Sequence, residues 1–291
     1  MDSFSSSKLQ IWEGWARPLV RGGPPGALNG SAELAQRLYR QEALEPPAAG
    51  PRGDEGVEPY TLQWFLDIEH QRHGRRGRWL PRLLEFTRHA GETLLGLGNG
   101  LGTDWLQYAR YGASVVVCSP SAEQLALARR NFELRGLGGR FLHAGLNSLP
   151  LESASIDVAC VSSLLQEVED PPAMVHEIYR VLKPGGKVLA VAPARYDLDY
   201  WLNLAFPWRR WLGRATPSGE GPAVRYTRRR LKRLFAPFVE RRVYKRHLRR
   251  AELPHLGRWL PLPLLERLFG HVLVLKGFKP LSAAMTRRAA A

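Results

Sequence analysis

The stretch that decides the reading of this chain is Leu94-Leu95-Gly96-Leu97-Gly98-Asn99-Gly100-Leu101-Gly102-Thr103-Asp104. An apolar run passes into alternating glycines and out into an acid. Glycines after a strand let the backbone turn tightly and approach a ligand closely. A helix started there presents free N–H groups at its first turn. The spacing narrows what could bind. A dinucleotide fingerprint needs Gly at i, i+2 and i+5. Counting from Gly96, Gly98 or Gly100, position i+5 is Leu101, Thr103 or Trp105, so every register fails. No Gly-Lys-Ser/Thr follows either. Two readings stay open: the glycines permit a tight strand–helix corner, or they also seat a ligand.

Outward from this loop the pattern alternates. Apolar or β-branched runs at 93–97, 114–118, 140–144, 156–163 and 187–192 read as strands. Between them, 104–111, 122–135 and 171–182 carry helical spacing, and PGG at 184–186 reads as a turn. Strands and helices in this order make βαβ units and a parallel sheet covered on both faces. Ligands of such sheets bind beyond the carboxyl ends of the strands. Upstream, helices are expected over 31–44, 59–70 and 78–90, with linkers at 21–26 and 45–56. Downstream, 197–213 is aromatic and amphipathic, Thr227 opens a basic helix, 238–248 alternates in part like a strand, and 271–280 closes as a strand.

Composition excludes several classes. Of 291 residues, 44% are apolar and 24% charged, which supports a real core rather than disorder. Two cysteines, Cys118 and Cys160, sit in apolar runs and read as small core residues, not as a disulfide framework. No leader pattern opens the chain and no 18-residue apolar run occurs, so a cytoplasmic protein with no membrane span is expected. His70 and His73 could share a helix face, but no further ligands converge, and a solvated polar face is the simpler reading; no metal site is expected. The charge is lopsided. Residues 201–291 hold 21 basic and 4 acidic residues, whereas residues 1–200 hold 21 and 23.

The run from 93 to 192 resembles the class I S-adenosylmethionine-dependent methyltransferases of type 11, the small-molecule and quinone methyltransferase-like group. The resemblance rests on LLGLGNGLGTDWLQYARYGASVVVCSPSAEQLALARRNF (94–132), SLPLESASIDVACVSSLLQEVEDPPAMVHEIYRVLKPGGKVLAVAP (148–193) and GFKP (277–280). It implies an α/β, doubly wound, mostly parallel seven-stranded sheet of Rossmann-like type whose last strand runs antiparallel. The expected organisation is an N-terminal extension at 1–58, the methyltransferase core at 59–195, and a basic aromatic part at 196–291. That last part would complete the sheet and cover the acceptor side. The resemblance further implies S-adenosylmethionine as cofactor, held around Gly96, Leu97, Gly98, Asn99, Gly100, Asp104, Ser119, Pro120, Gly145, Leu146 and Ser162. Asp104 reads either as a first-turn helix acid or as a partner for the ammonium of the cofactor's methionine part.

The departures are grouped. The family's acid two before the second glycine of the loop is Gly96 here. Its Asp or Glu after the second strand is Ser119, and its Asp after the third is Gly145. A His-His pair common after the fourth strand is Gln166-Glu167, and no catalytic side chain is assigned. A hydrogen bond to a charged group contributes about 1.5–3 kcal/mol, so each lost carboxylate weakens cofactor binding roughly ten- to a hundredfold. Two functions follow. One is methyl transfer to a small or lipid-like acceptor, which needs alignment more than acid–base groups. The other is a non-catalytic descendant of the fold acting as a binding or scaffold module. The basic third, with Trp201, Trp208, Trp211 and Trp259, fits an anionic membrane surface, a substrate cover or a plain solvated face; nucleic acid is the weaker fit because no nucleic-acid module accompanies it.

Overall fold

A computed structural model describes residues 58–74, 77–98, 100–162, 164–205, 224–248 and 261–281. The helix expected at 31–44 and both linkers lie outside these residues. Seven strands form one sheet in the order β3-β2-β1-β4-β5-β7-β6. They are β1 (Thr93–Leu97), β2 (Ser114–Ser119), β3 (Arg140–His143), β4 (Ile156–Val161), β5 (Leu182–Pro193), β6 (Val239–Arg246) and β7 (Val272–Phe278). The first five pair in parallel, and β7 runs antiparallel between β5 and β6.

Eight helices surround this sheet among the described residues: α1 (Leu62–His73), α2 (Leu80–Leu84), α3 (Thr103–Arg110), α4 (Ala122–Glu133), α5 (Pro171–Val181), α6 (Leu198–Ala205), α7 (Arg228–Leu234) and α8 (Leu262–Phe269). Their starts follow local chemistry. Thr61, Ser121, Asp170 and Thr227 each accept a hydrogen bond from a first-turn N–H, as capping residues do.

Period-two alternation sends successive strand residues to opposite faces. Leu95, Leu97, Ala159, Val161, Val188 and Ala190 pack under α5 and α7 with Met174, Ile178, Leu231 and Phe235. Leu94, Val115, Val117, Val158, Cys160 and Leu189 pack under α3 and α4 with Trp105, Tyr108 and Phe132. Both cysteines are buried and free, and burial pushes the Cys118 thiol up to about 11.

Two expectations are corrected. The helix expected over 78–90 breaks at Glu85, which takes a left-handed conformation (φ 58°); a 3₁₀ turn, Phe86–Arg88, follows. The carboxylate of Glu85 meets Lys187 at 2.6 Å and Lys276 at 2.7 Å, and those tertiary pairs hold the break in place. PGG at 184–186 is not a free turn but a bulge inside β5. On β4 the register steps from Ile156↔Leu182 to Val158↔Lys187, and Gly185 carries φ +80°.

Candidate functional site

The glycine segment joins β1 to α3 at the carboxyl edge of the sheet, where open α/β sheets hold ligands. Gly102 caps α3 in a left-handed conformation (φ 74°) with no side-chain cap, so the first-turn N–H groups receive no capping side chain. The alternation places Gly96 on the same face as Leu94, under α3. A Cβ there would lie 2.6 Å from Trp105 Cγ. At Gly98 a Cβ would lie 2.3 Å from the Ser162 carbonyl oxygen and 2.8 Å from the Trp105 ring. The loop is therefore glycine-rich because its own helix packs an indole beneath it. Around Gly145, in contrast, a Cβ would meet nothing within 4 Å. Ser119, buried at the end of β2, accepts a hydrogen bond from the Ser121 N–H at 3.2 Å. Pro120 beside it is exposed, and Leu146 is half-buried next to Gly145. Asn99 lies outside the described residues.

The charged centre of this corner was not legible in the glycine motif. α1 lies against it, burying Trp64, Phe65 and Ile68 on Leu101 of the loop, each worth roughly 1.5–3 kcal/mol of apolar burial. Its last turn delivers Arg72, whose side chain is 2% exposed, onto Asp104, 3% exposed. Arg72 Nε donates to Asp104 Oδ1 at 2.7 Å and its Nη2 donates to Oδ2. His73 Nε2 lies 2.9 Å from Oδ1, and the Ser162 hydroxyl donates to Oδ2 at 2.8 Å while accepting from Arg72 at 3.0 Å. An ionised carboxylate offers about four acceptor positions, and here all are taken. Burial opposes the charge on Asp104, but Arg72 and His73 outweigh it and hold its carboxyl well below the usual carboxylate range.

This closed network engages Asp104 and Ser162 and corrects one expectation, the solvated face of His73. His73 is largely buried. Arg72 was missed because its partner is 32 residues away in sequence. A further clamp joins α1 to the corner: Glu69 meets Arg110 at 2.8 Å and also Arg135, while Gln107 donates to it at 2.8 Å.

Along the same edge lies a second polar cluster. Asp197, just after β5, is buried; it pairs with Arg225, lies 3.5 Å from His271 and accepts from the Tyr200 N–H at 2.9 Å. Burial raises its pKa, but His271, the Tyr200 N–H and Arg225 prevail and lower it. Lys245 near the end of β6 donates to the carbonyls of Tyr196 and Leu268, and burial, followed by Arg228, pulls its pKa down to about 8. Gln166 and Glu167 sit in the turn after β4; Glu167 is exposed and its N–H bonds the Leu164 carbonyl. No group of three His, Cys, Asp or Glu side chains that could hold a metal occurs among the described residues.

Residues 94–190 match the family model described as "Methyltransferase domain". The matched run covers β1 through most of β5 of the seven-stranded sheet described above. A demethylmenaquinone methyltransferase of Clavibacter sepedonicus is 36% identical over 104 residues, covering 34% of this chain and 40% of that protein. One of Paenarthrobacter aurescens is 30% identical over 146 residues, covering 50% of this chain and 55% of that protein. The chain spans about half the length of the curated relatives it matches. The solved structure of the [4+2]-cyclase SpnF aligns with a TM-score of 0.53 at 19% identity, covering 88% of this chain and 96% of that one, which speaks to fold alone.

Proposed function

We propose that this protein transfers a methyl group from S-adenosylmethionine to a small, lipid-like acceptor of the quinone-precursor kind. The observation that carries the reading is the glycine turn feeding the uncapped N-terminus of α3, with open space at Gly145 on the same sheet edge. These residues fit the cofactor in a particular way. The first-turn N–H groups of α3 suit the carboxylate of the methionine part. Ser119, Pro120, Gly145 and Leu146 would flank the adenosine part, a Cβ at Gly145 meeting nothing within 4 Å. The cofactor supplies an electrophilic methyl group on a sulfonium. This chain's residues supply the rest: α1 seals the corner against water through Trp64 and Phe65, and the Arg72–Asp104 network fixes the loop so that donor and acceptor can align. The names of the two relatives support the acceptor class.

Calorimetric titration of the full chain with S-adenosylmethionine and S-adenosylhomocysteine tests the reading. Binding of both below millimolar concentration, followed by mass-spectrometric detection of methylated demethylmenaquinone analogues, is expected. A second reading, a non-catalytic binding module, is favoured by the saturation of Asp104 and the missing acids at Gly96, Ser119 and Gly145. Failure of either ligand to bind at millimolar concentration would establish it over the first.

A further inference from the structure

The helices α6 and α8 flank the carboxyl end of β5 and the start of β7, on the acceptor side of the sheet. Each buries one face in a shared small cluster of Leu198, Leu248 and Leu265, with Leu202, Leu262 and Phe269 against it. The other faces carry large apolar side chains in water: Tyr196, Tyr200, Trp201 and Leu204 on and before α6, and Leu264 and Leu268 on α8. The aromatic rings form a connected row, with Tyr196–Tyr200 centroids 4.9 Å apart, Tyr200–Trp201 5.6 Å and Trp201–Phe269 6.5 Å. Scattered exposed apolar residues need no explanation, but a contiguous set this large does.

The exposed charges described around this set are basic. Two acids here point inward: Asp197 is buried against Arg225 and His271, and Glu266 is largely buried near Arg246. Several cations point out. Arg195 is exposed with its guanidinium over the Tyr196 ring at 5.7 Å, and Arg267 is exposed on α8 beside Leu268. Arg229, Arg230, Lys232 and Arg233 of α7 continue the basic surface. Tyr and Trp rows rimmed by arginine match the headgroup level of a bilayer, where amphipathic rings settle and cations meet anionic lipid. No helix among the described residues is long and apolar enough to cross a membrane, so the contact is with the interface.

We propose that α6 and α8 form a docking surface for an anionic lipid bilayer, laying the acceptor side of the sheet against the membrane. This surface is independent of whether the corner binds S-adenosylmethionine. It would bring a lipid-borne acceptor to the sheet edge without passage through water. Lys245 ties the device together, because its ammonium holds the turn before α6 and the end of α8 at once.

The test is co-sedimentation of the full chain with vesicles of phosphatidylcholine alone and of phosphatidylcholine mixed with phosphatidylglycerol. The expected result is strong preference for the anionic vesicles, weakening with salt. Trp201→Ser with Leu204→Ser should abolish binding. Arg195→Gln and Arg267→Gln should each weaken it about fivefold while leaving neutral-vesicle binding unchanged. All four side chains are exposed, so circular dichroism should show unchanged folding. Equal binding to both vesicle types, or anionic binding untouched by the Trp201/Leu204 pair, overturns the proposal. So does a vesicle-free dimer, seen by analytical ultracentrifugation, that the same pair disrupts, since a second copy would then be the occupant.

Discussion

Arg72 and the arginines of the C-terminal third are the same residue in opposite surroundings. Arg72 is buried, forked onto one carboxylate, and seals the corner where α1 meets the glycine loop. Arg195, Arg229 and Arg267 are exposed at the surface. Asp104, Arg72 and Glu69 of the near-neutral body pair internally, while much of the basic third faces outward. Net charge therefore says little about the corner and much about the surface. A buried ion pair is strongly destabilising to break and weak evidence of stability in itself, whereas exposed charges govern encounters.

The contrast can be broken at its strongest point first. Asp104→Asn leaves Arg72 buried without a counter-charge and should destabilise the fold by about 3–5 kcal/mol in chemical denaturation. Replacing both partners with apolar residues, Arg72→Met with Asp104→Leu, should be milder than the single change. Equal losses would show that the network is not a coupled pair. Arg229→Gln in the basic third should shift stability by less than about 0.5 kcal/mol.

Glu85 comes next. Burial opposes its charge, but Lys187 and Lys276 pull its pKa from 4.5 to about 2. A depressed carboxylate contributes stability above its unfolded pKa and loses it as pH falls. Stability should therefore decline as pH drops from 4.5 toward 2, and Glu85→Gln should flatten that decline at a loss of roughly 2 kcal/mol near neutrality. An unchanged acid limb in the variant's denaturation profile would contradict the pairing.

The missing acids of the corner are not equivalent, and this gives the subtler predictions. Gly96→Asp drives a Cβ into the Trp105 ring and should destabilise by about 1–3 kcal/mol, read as a lowered Tm. Gly145→Asp enters open space and should leave stability within about 0.5 kcal/mol. If the adenosine part lies there, the new carboxylate should tighten S-adenosylhomocysteine about tenfold by calorimetry. Unaltered affinity would place the cofactor elsewhere or nowhere.

The features legible in the sequence were those set by neighbours in the chain. β1, β2, α4, α5 and β7 were readable because apolar periodicity and caps such as Ser121 and Asp170 act over a few residues. The glycine loop was readable as a loop, yet its reason, the Trp105 indole beneath it, required the folded helix. Arg72 reaches Asp104 across 32 residues and Glu85 reaches Lys276 across 191, so no local pattern announces either. The same holds for the bulge at 184–186, which depends on β4 beside it. The basic third was legible as composition; which of its side chains face outward was not.

The place of β7 bears on how the chain acquires its shape. Residues 272–278 form the last strand of the sheet in chain order but lie inside it, with β5 on one side and β6 on the other. β6 is made earlier and has no strand partner until β7 arrives. During synthesis the sheet therefore stays open at β5, with that edge unpaired, until residues near 278 have left the ribosome. Long-range pairing of this kind slows folding and leaves strand edges exposed to wrong partners. A chain stopped before Val272 would lose an interior plank of the sheet rather than a tail, and would release β6 with it.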